Sequence, residues 1–290
     1  MDNLLNETTF EEHIAKCLAN SDLYNQRSSA QFDIEKLCDA ELLEQFLRQQ
    51  PVVWTKLTKR FPGQEVATVI REYNKRLDRG ESILTIMRKG FTVSGAKVKF
   101  CQFKPVLEGE GTDNYRLHRA NHFSIVRQMR YSTGEDSGNE LDMCILLNSI
   151  PLFTFELKNE GTGQNYTHGI YQYKNNRDPQ NRMLRNCLVH FVMDNQYVFM
   201  TTKLNGEETS FLPFNREAVN PPIEDEYPVA YMWQNILQAD SLLDILENFI
   251  KRYEESYEDK ETKEQKKRIC SYLPSFSSAS CRAQAAPTGA

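Results

Sequence analysis

Hydrophobic residues in the first part of the chain recur every three to four positions, which is the period of amphipathic α-helices. A capping box at residues 9–12 precedes an apolar stripe over 10–18 and predicts a first helix. Asp39 precedes a second stripe over 42–47, and a third runs over 66–77 until Gly80 ends it. Trp54, between the second and third stripes, is interpreted as a core anchor.

From residue 97 onward the hydrophobic period shortens to nearly two residues, which is typical of strands. The pattern predicts strands over 97–103, 123–131, 141–147, 152–158, 188–194 and 197–202, a helix over 164–176, and a last helix from Asp240. Residues 254–268 form a mixed charge run. Strands followed by a helix and further strands predict an α/β sheet with helices on its faces.

The strands over 141–147 and 152–158 carry three charged side chains in otherwise apolar surroundings: Asp142, Glu156 and Lys158. Two carboxylates can hold a hard divalent cation, and a neighbouring lysine can orient water or stabilise transition-state charge. The alternative is that Asp142 caps a turn while Glu156 and Lys158 form a solvated strand end. Burial of an acid in such a sheet requires a partner or a metal. This raises the weight of the first interpretation to that of the second, and both stay open at this point.

Strand register decides whether the two acids can meet. A plain two-residue loop at residues 148–149 would place Asp142 and Glu156 on opposite faces of the sheet. One additional residue, in a three-residue loop or a bulge, would set them opposite one another on one face. Pro151 lacks a ladder donor and favours an irregular start to the second strand, so we predict the bulged register.

Composition narrows the class of protein. With 290 residues, 40% hydrophobic and 26% charged, the chain is typical of a globular protein. No apolar run approaches the roughly 20 residues that cross a membrane, and no signal peptide is evident. Seven scattered cysteines without a CxxC pair favour a reducing cytoplasm. The net charge of −5 argues against non-specific coating of nucleic acid, but it allows a nuclease with a local basic surface.

Residues of about 6 to 268 resemble the N-terminal part of the R (restriction) subunit of type I restriction-modification enzymes. The most telling stretches are NHFSIVRQMRY at 121–131, ELD at 140–142 and FTFELKN at 153–159. Shorter matches are FEEHI at 10–14, QPVVW at 50–54, GQN at 163–165, QY at 172–173, RDP at 177–179, LVHF at 188–191 and MTT at 200–202. This extended match is far more specific than the pair of Glu156 and Lys158, separated by one residue, would be by itself.

The resemblance implies a PD-(D/E)xK nuclease: a restriction-endonuclease-like mixed sheet with flanking helices, an αβββαβ core, and helical additions at both ends. It implies Mg²⁺, for which Mn²⁺ can substitute, bound by Asp142 and Glu156, with Lys158 as the catalytic lysine. Such nucleases often add an acid on the first core helix. Glu11 is the candidate, because it flanks the buried stripe whereas Glu12 faces away.

Four side chains are candidates for DNA contact. A Q-xxx-Y motif often follows the lysine in such nucleases, and Gln172 matches its glutamine. The tyrosine position is Asn176, so the adjacent Tyr173 is the candidate substitute. Arg127 and Arg130 lie in a stretch without acids and could meet phosphates; alternatively, they form a basic strand face that balances an acidic protein.

The resemblance also predicts organisation and partners. We expect a nuclease domain over 1–235, a C-terminal helix and charged linker over 236–268, and a disordered tail over 269–290. R subunits continue into an ATP-driven translocase, but no Walker A motif is present, so ATP is expected only for the full-length enzyme. The implied partners are double-stranded DNA and the methyltransferase and specificity subunits of a restriction-modification complex. No association with a membrane is expected. A stand-alone PD-(D/E)xK nuclease and a non-catalytic assembly module are the alternatives.

Overall fold

A seven-stranded mixed sheet forms the centre of the computed structural model, which describes residues 7–20, 23–133, 138–258 and 265–272. The strands are β1 (Tyr24–Arg27), β2 (Phe91–Val93), β3 (Ala96–Val98), β4 (Phe123–Arg130), β5 (Glu140–Leu147), β6 (Ile150–Leu157), β7 (Val189–Met193), β8 (Val198–Thr201), β9 (Leu212–Pro213), β10 (Lys251–Glu258) and β11 (Gln265–Tyr272). The α-helices are α1 (Glu7–Ala19), α2 (Ala40–Arg48), α3 (Pro51–Arg60), α4 (Glu65–Asp78), α5 (Ile83–Lys89), α6 (Asp113–Arg119), α7 (Tyr166–Tyr171) and α8 (Ala239–Asp244). Helices α7 and α8 continue as π-helical turns over Gln172–Asn176 and Ile245–Phe249.

The strand order in the large sheet is β1-β4-β5-β6-β7-β8-β9. Strands β4, β5 and β6 form an antiparallel meander, whereas β7 runs parallel to β6 after the crossover through α7. The succession α1, β4, β5, β6, α7, β7 therefore has the predicted αβββαβ order. The predicted α/β class with a mixed sheet and flanking helices is confirmed.

Helix boundaries follow local signals in most places. The Asp39 carboxylate accepts hydrogen bonds from the first-turn amides of α2, as its position in the sequence indicated. The capping box is wrong, because α1 begins at Glu7 and residue 9 lies inside the helix. Trp54 lies within α3 rather than between helices, and the Arg48 guanidinium stacks 4.3 Å from its ring centroid. Helices α3 and α5 were not predicted because their apolar stripes are short.

The core lies on both faces of the sheet. Every residue of β6 is buried, and the α1 stripe of Phe10, Ile14 and Leu18 is fully buried as predicted. Because β6 is central and covered on both sides, any charged side chain it carries must be satisfied inside the protein.

The C-terminal part contains the predicted last helix and, after it, a hairpin that the hydrophobic pattern did not predict. The last helix ends with its π-helical turn at Phe249, and part of the charge run forms an antiparallel hairpin of β10 and β11. The division of the chain into a nuclease domain, a linker and a tail stays a prediction. The predicted tail overlaps β11 at residues 269–272, and its remainder lies outside the described residues. Across the described ranges, no helix combines the length and hydropathy needed to cross a membrane.

Candidate active site

A β-bulge in β6 sets the register of the site. Asn148 and Ser149, both with positive φ, form a tight turn, and one extra residue, Leu152, is then accommodated in β6. The cross-strand pairs are Leu147 with Ile150, Leu146 with Pro151, Ile145 with Phe153, Cys144 with Thr154 and Met143 with Phe155. Continued by one residue, this register sets Asp142 opposite Glu156 on one face. The predicted bulged register is confirmed.

Asp142, near the start of β5, and Lys158, just after the end of β6, form an ion pair. Lys158 Nζ lies 3.3 Å from Asp142 Oδ2, and the amide of Leu157 donates to the same oxygen at 2.6 Å. The lysine side chain is 3% exposed and that of Asp142 is 20% exposed. The carboxylate is thus the more accessible member of the pair, and the amine is fixed beneath it.

Glu156 is the most deeply buried charged group of the site. Its Oε1 accepts hydrogen bonds from Arg177 Nε at 2.9 Å and Nη2 at 2.8 Å. Its Oε2 is buried and has no hydrogen-bond partner among the described residues. Burial, followed by the negative charge of Asp142, raises the pKa of Glu156 to about 8, while Arg177 and Lys158 oppose that rise.

Arg177 is the site residue that sequence reasoning missed. Besides Glu156, its guanidinium donates to the backbone oxygen of Glu140 at 2.8 Å and lies 3.4 Å from the Tyr131 hydroxyl. Arg177 is the first residue of RDP at 177–179, one of the short stretches that resemble the R subunits. That was the only available signal, because its contact with β6 depends on how the chain leaves α7.

Glu11 reaches the same region from α1 but is held by two partners. Its Oε1 accepts from Arg127 Nε at 2.6 Å, and its Oε2 accepts from Gln128 Nε2 at 2.9 Å. Burial raises the pKa of Glu11, and the charge of Asp142 contributes in the same direction. The predicted orientation is confirmed: Glu11 is buried, whereas the half-exposed Glu12 pairs with Lys16 on the outer face.

The backbone is strained beside Asp142. Gln128 has φ of +48° in the middle of β4, a conformation that side chains rarely adopt within a strand. The β4–β5 pairs flank this position, Arg127 with Met143 and Met129 with Leu141, so Gln128 lies opposite Asp142. Such strain often marks functional sites, and here it accompanies the bond from Gln128 to Glu11.

The four DNA-contact candidates do not form one surface. Tyr173 is fully buried, and its hydroxyl bonds Thr154 Oγ1 at 2.7 Å, so the prediction that it contacts DNA is wrong: it is a core residue. Gln172 is half-buried, with its Oε1 buried and without a hydrogen-bond partner in the described part of the chain. Arg127 is bound to Glu11. Arg130, whose side chain is 65% exposed, pairs with Glu140.

The residues present fit a small carboxylate site for Mg²⁺. Mg²⁺ is usually bound through one or two carboxylates, with waters and substrate phosphates completing its shell. Asp142 and Glu156 share one face, and the buried Oε2 of Glu156 is an acceptor without a partner in the described ranges. No cluster of three or more His, Cys, Asp or Glu residues suited to a metal occurs among the described residues, so the fit is to a two-carboxylate site.

Comparison with known proteins identifies the family to which the chain belongs. The family model described as the type I restriction enzyme R protein N terminus (HSDR_N) matches residues 5–209. A search of curated proteins finds no match. The matched range contains α1, strands β4 to β8, and the side chains of Asp142, Glu156 and Lys158. The chain therefore belongs to the family of the type I restriction enzyme R protein N terminus.

Proposed function

We propose that this chain is the Mg²⁺-dependent endonuclease domain of a type I restriction R subunit, hydrolysing phosphodiester bonds of double-stranded DNA. One observation carries the proposal. The bulged register sets Asp142 opposite Glu156, and Lys158 Nζ lies 3.3 Å from Asp142 Oδ2. Family membership and the fold support it.

Asp142 and Glu156 are the proposed metal ligands. Mg²⁺, or Mn²⁺ in its place, supplies charge neutralisation at the scissile phosphate and lowers the pKa of a bound water. Asp142 is the accessible ligand, so DNA phosphate approaches from its side of the pair. Glu156 would bind the cation through Oε2, because its Oε1 already accepts two hydrogen bonds from Arg177.

Lys158 is the proposed catalytic lysine. Its ammonium donates to the attacking water or to a non-bridging phosphate oxygen and stabilises the charge that develops there. Burial at 3% exposure and the contact with Asp142 hold the amine in place, so little reorganisation is needed during the reaction.

The proposed partners follow from the family. They are double-stranded DNA, which is cut without a sequence choice by this domain, and the methyltransferase and specificity subunits that recognise the target. ATP would act only through the motor of a full-length R subunit. Arg130 and Gln172 remain proposed DNA contacts, while Arg127 would contact phosphate only through the part of its guanidinium that Glu11 leaves available.

Cleavage of supercoiled DNA with Mn²⁺ tests the role of Lys158. Lys158→Ala should lower the cleavage rate about a hundredfold or more, because a fixed donor to the transition state is lost. Mn²⁺ affinity should be retained, since the substitution removes a positive charge beside Asp142. Lys59→Ala, at an exposed position of α3, has the same charge change and should cut like wild type. Equal cleavage by Lys158→Ala and wild type would contradict the assignment.

A second candidate function is a non-catalytic assembly module. The observation that favours it is that both carboxylates already have cationic partners, Lys158 and Arg177. In that case, calorimetry should detect no Mg²⁺ or Mn²⁺ binding to the wild type. Asp142→Ala should then change neither metal binding nor DNA cleavage. A stand-alone nuclease would instead cut plasmid efficiently without partner subunits.

A further inference from the structure

We propose that Arg177 is a positioning residue that holds one oxygen of Glu156 and thereby directs the other towards the cation shared with Asp142. This inference rests on the proposed function. Its basis is the division of roles between the two carboxylate oxygens: Oε1 takes both the Nε and the Nη2 hydrogen bonds of Arg177, and Oε2 has no partner among the described residues.

Three consecutive parts of the meander fix the guanidinium. It contacts Glu156 on β6, the backbone oxygen of Glu140 at the start of β5, and the hydroxyl of Tyr131 just after β4. Its central carbon also lies 5.6 Å from the centroid of the Tyr131 ring. Since these anchors lie on different segments, the plane of the guanidinium is set by the sheet and is not free to follow Glu156.

The chain that carries Arg177 is tied to the same place. The π-helical turn ends at Asn176, and Arg177 leaves it with extended backbone angles. Four residues later, Asn181 donates through Nδ2 to the backbone oxygen of Tyr131 at 3.3 Å and to Ser132 Oγ at 3.0 Å. The segment is therefore attached to the β4–β5 connection at Asn181 as well as at Arg177 itself.

A guanidinium suits this role better than an ammonium. Its planar donors can bond one carboxylate oxygen and a separate backbone oxygen at fixed angles, whereas lysine presents a compact charge on a flexible stem. Groups that hold a metal ligand in this way commonly change metal affinity by 10- to 100-fold when they are removed. Arg177 would thus act through Glu156 and need not touch DNA or metal.

The test is Mn²⁺ affinity, measured by electron paramagnetic resonance at fixed pH, together with thermal unfolding. Arg177→Met should weaken Mn²⁺ binding by about 10- to 100-fold. Arg88→Met is the matched control, because Arg88 also bonds buried carbonyls, those of Leu246 and Ile250, at 2.7 and 2.8 Å. It should lower the unfolding temperature while keeping wild-type affinity.

Two further outcomes separate the inference from the proposed function. If wild type binds no Mn²⁺, the proposed function fails. If wild type binds Mn²⁺ and Arg177→Met binds it equally well, only the inference is overturned. Should Arg177→Met not fold, Arg177→Lys keeps the charge beside Glu156, and it should still bind Mn²⁺ several-fold more weakly than wild type. Wild-type affinity in Arg177→Lys would likewise overturn the positioning role.

Discussion

Among individual residues, Asp142 and Glu156 differ in their exposure to solvent and in the groups that bind their carboxylates. Asp142 is partly exposed and accepts hydrogen bonds from Lys158 and from the backbone of Leu157. Glu156 is fully buried and depends on Arg177. One carboxylate is therefore accessible from solvent, whereas the other is buried and held by Arg177. This difference suits the proposed site, in which a phosphate would approach Asp142 and a cation would lie between the two carboxylates.

Glu11 provides a residue-scale prediction. Both of its oxygens are occupied, by Arg127 and Gln128, so Glu11→Gln should change Mn²⁺ affinity by less than about threefold. Asp142→Asn should weaken it by more than about tenfold, because a ligand charge is lost. Calorimetric titration of the two variants measures the difference. Comparable losses in both would instead make Glu11 a third ligand.

At the scale of secondary-structure elements, the bulge in β6 decides whether Asp142 and Glu156 lie on the same face of the sheet. Without the extra residue at Leu152, the alternation of side chains would turn Glu156 to the face opposite Asp142. The sequence contained a usable signal, since Pro151 cannot donate to the ladder. The bulge lies directly after that proline.

Helix α7 packs so closely against β6 and β7 at Gly169 that a larger residue there would have to displace a neighbouring side chain. A Cβ there would meet Val192 Cγ1 at 2.7 Å and Glu156 Cβ at 3.4 Å. Gly169→Ala should therefore destabilise the protein by about 1–2 kcal/mol, since overpacking outweighs the gain in helix propensity. Chemical denaturation gives the value.

The matched control for this substitution is Gly111→Ala, where an added Cβ has no heavy atom within 4 Å. Its stability should remain within about 0.5 kcal/mol of wild type. A Gly169→Ala protein as stable as this control would show that α7 can move away from the sheet at little cost.

Across the whole molecule, buried His190 links stability to pH. Burial lowers the pKa of His190 from its ordinary 6.5 to about 3, and its Nδ1 lies 2.7 Å from Thr154 Oγ1. The unfolded chain gains a proton below pH 6.5, whereas the folded protein does so only near pH 3. Stability from this group is therefore present above pH 6.5 and falls on acidification by up to about 1.4 kcal/mol per pH unit.

His190→Asn should accordingly flatten the loss of unfolding free energy between pH 6 and pH 4, measured by urea denaturation at each pH. Thr154→Val removes the partner but no titratable group, so it should lower stability at every pH and keep the wild-type slope. An unchanged slope in His190→Asn would mean that the histidine is protonated in the folded protein.

The succession of β4, β5, β6, α7 and β7, the register of β5 and β6, and the positions of Asp142, Glu156 and Lys158 on or next to these strands could be predicted from the sequence alone. These features depend on short-range periodicity, on turn chemistry and on an acid within an apolar strand. They need no knowledge of distant segments.

Only the tertiary structure showed that Arg177 reaches Glu156, that Arg127 binds Glu11, and that Tyr173 is buried. Each depends on how segments far apart in the chain pack together. A charged or aromatic side chain has the same local sequence pattern whether it faces solvent or a buried partner. The partner is supplied by the fold, so the role of such a residue is decided there.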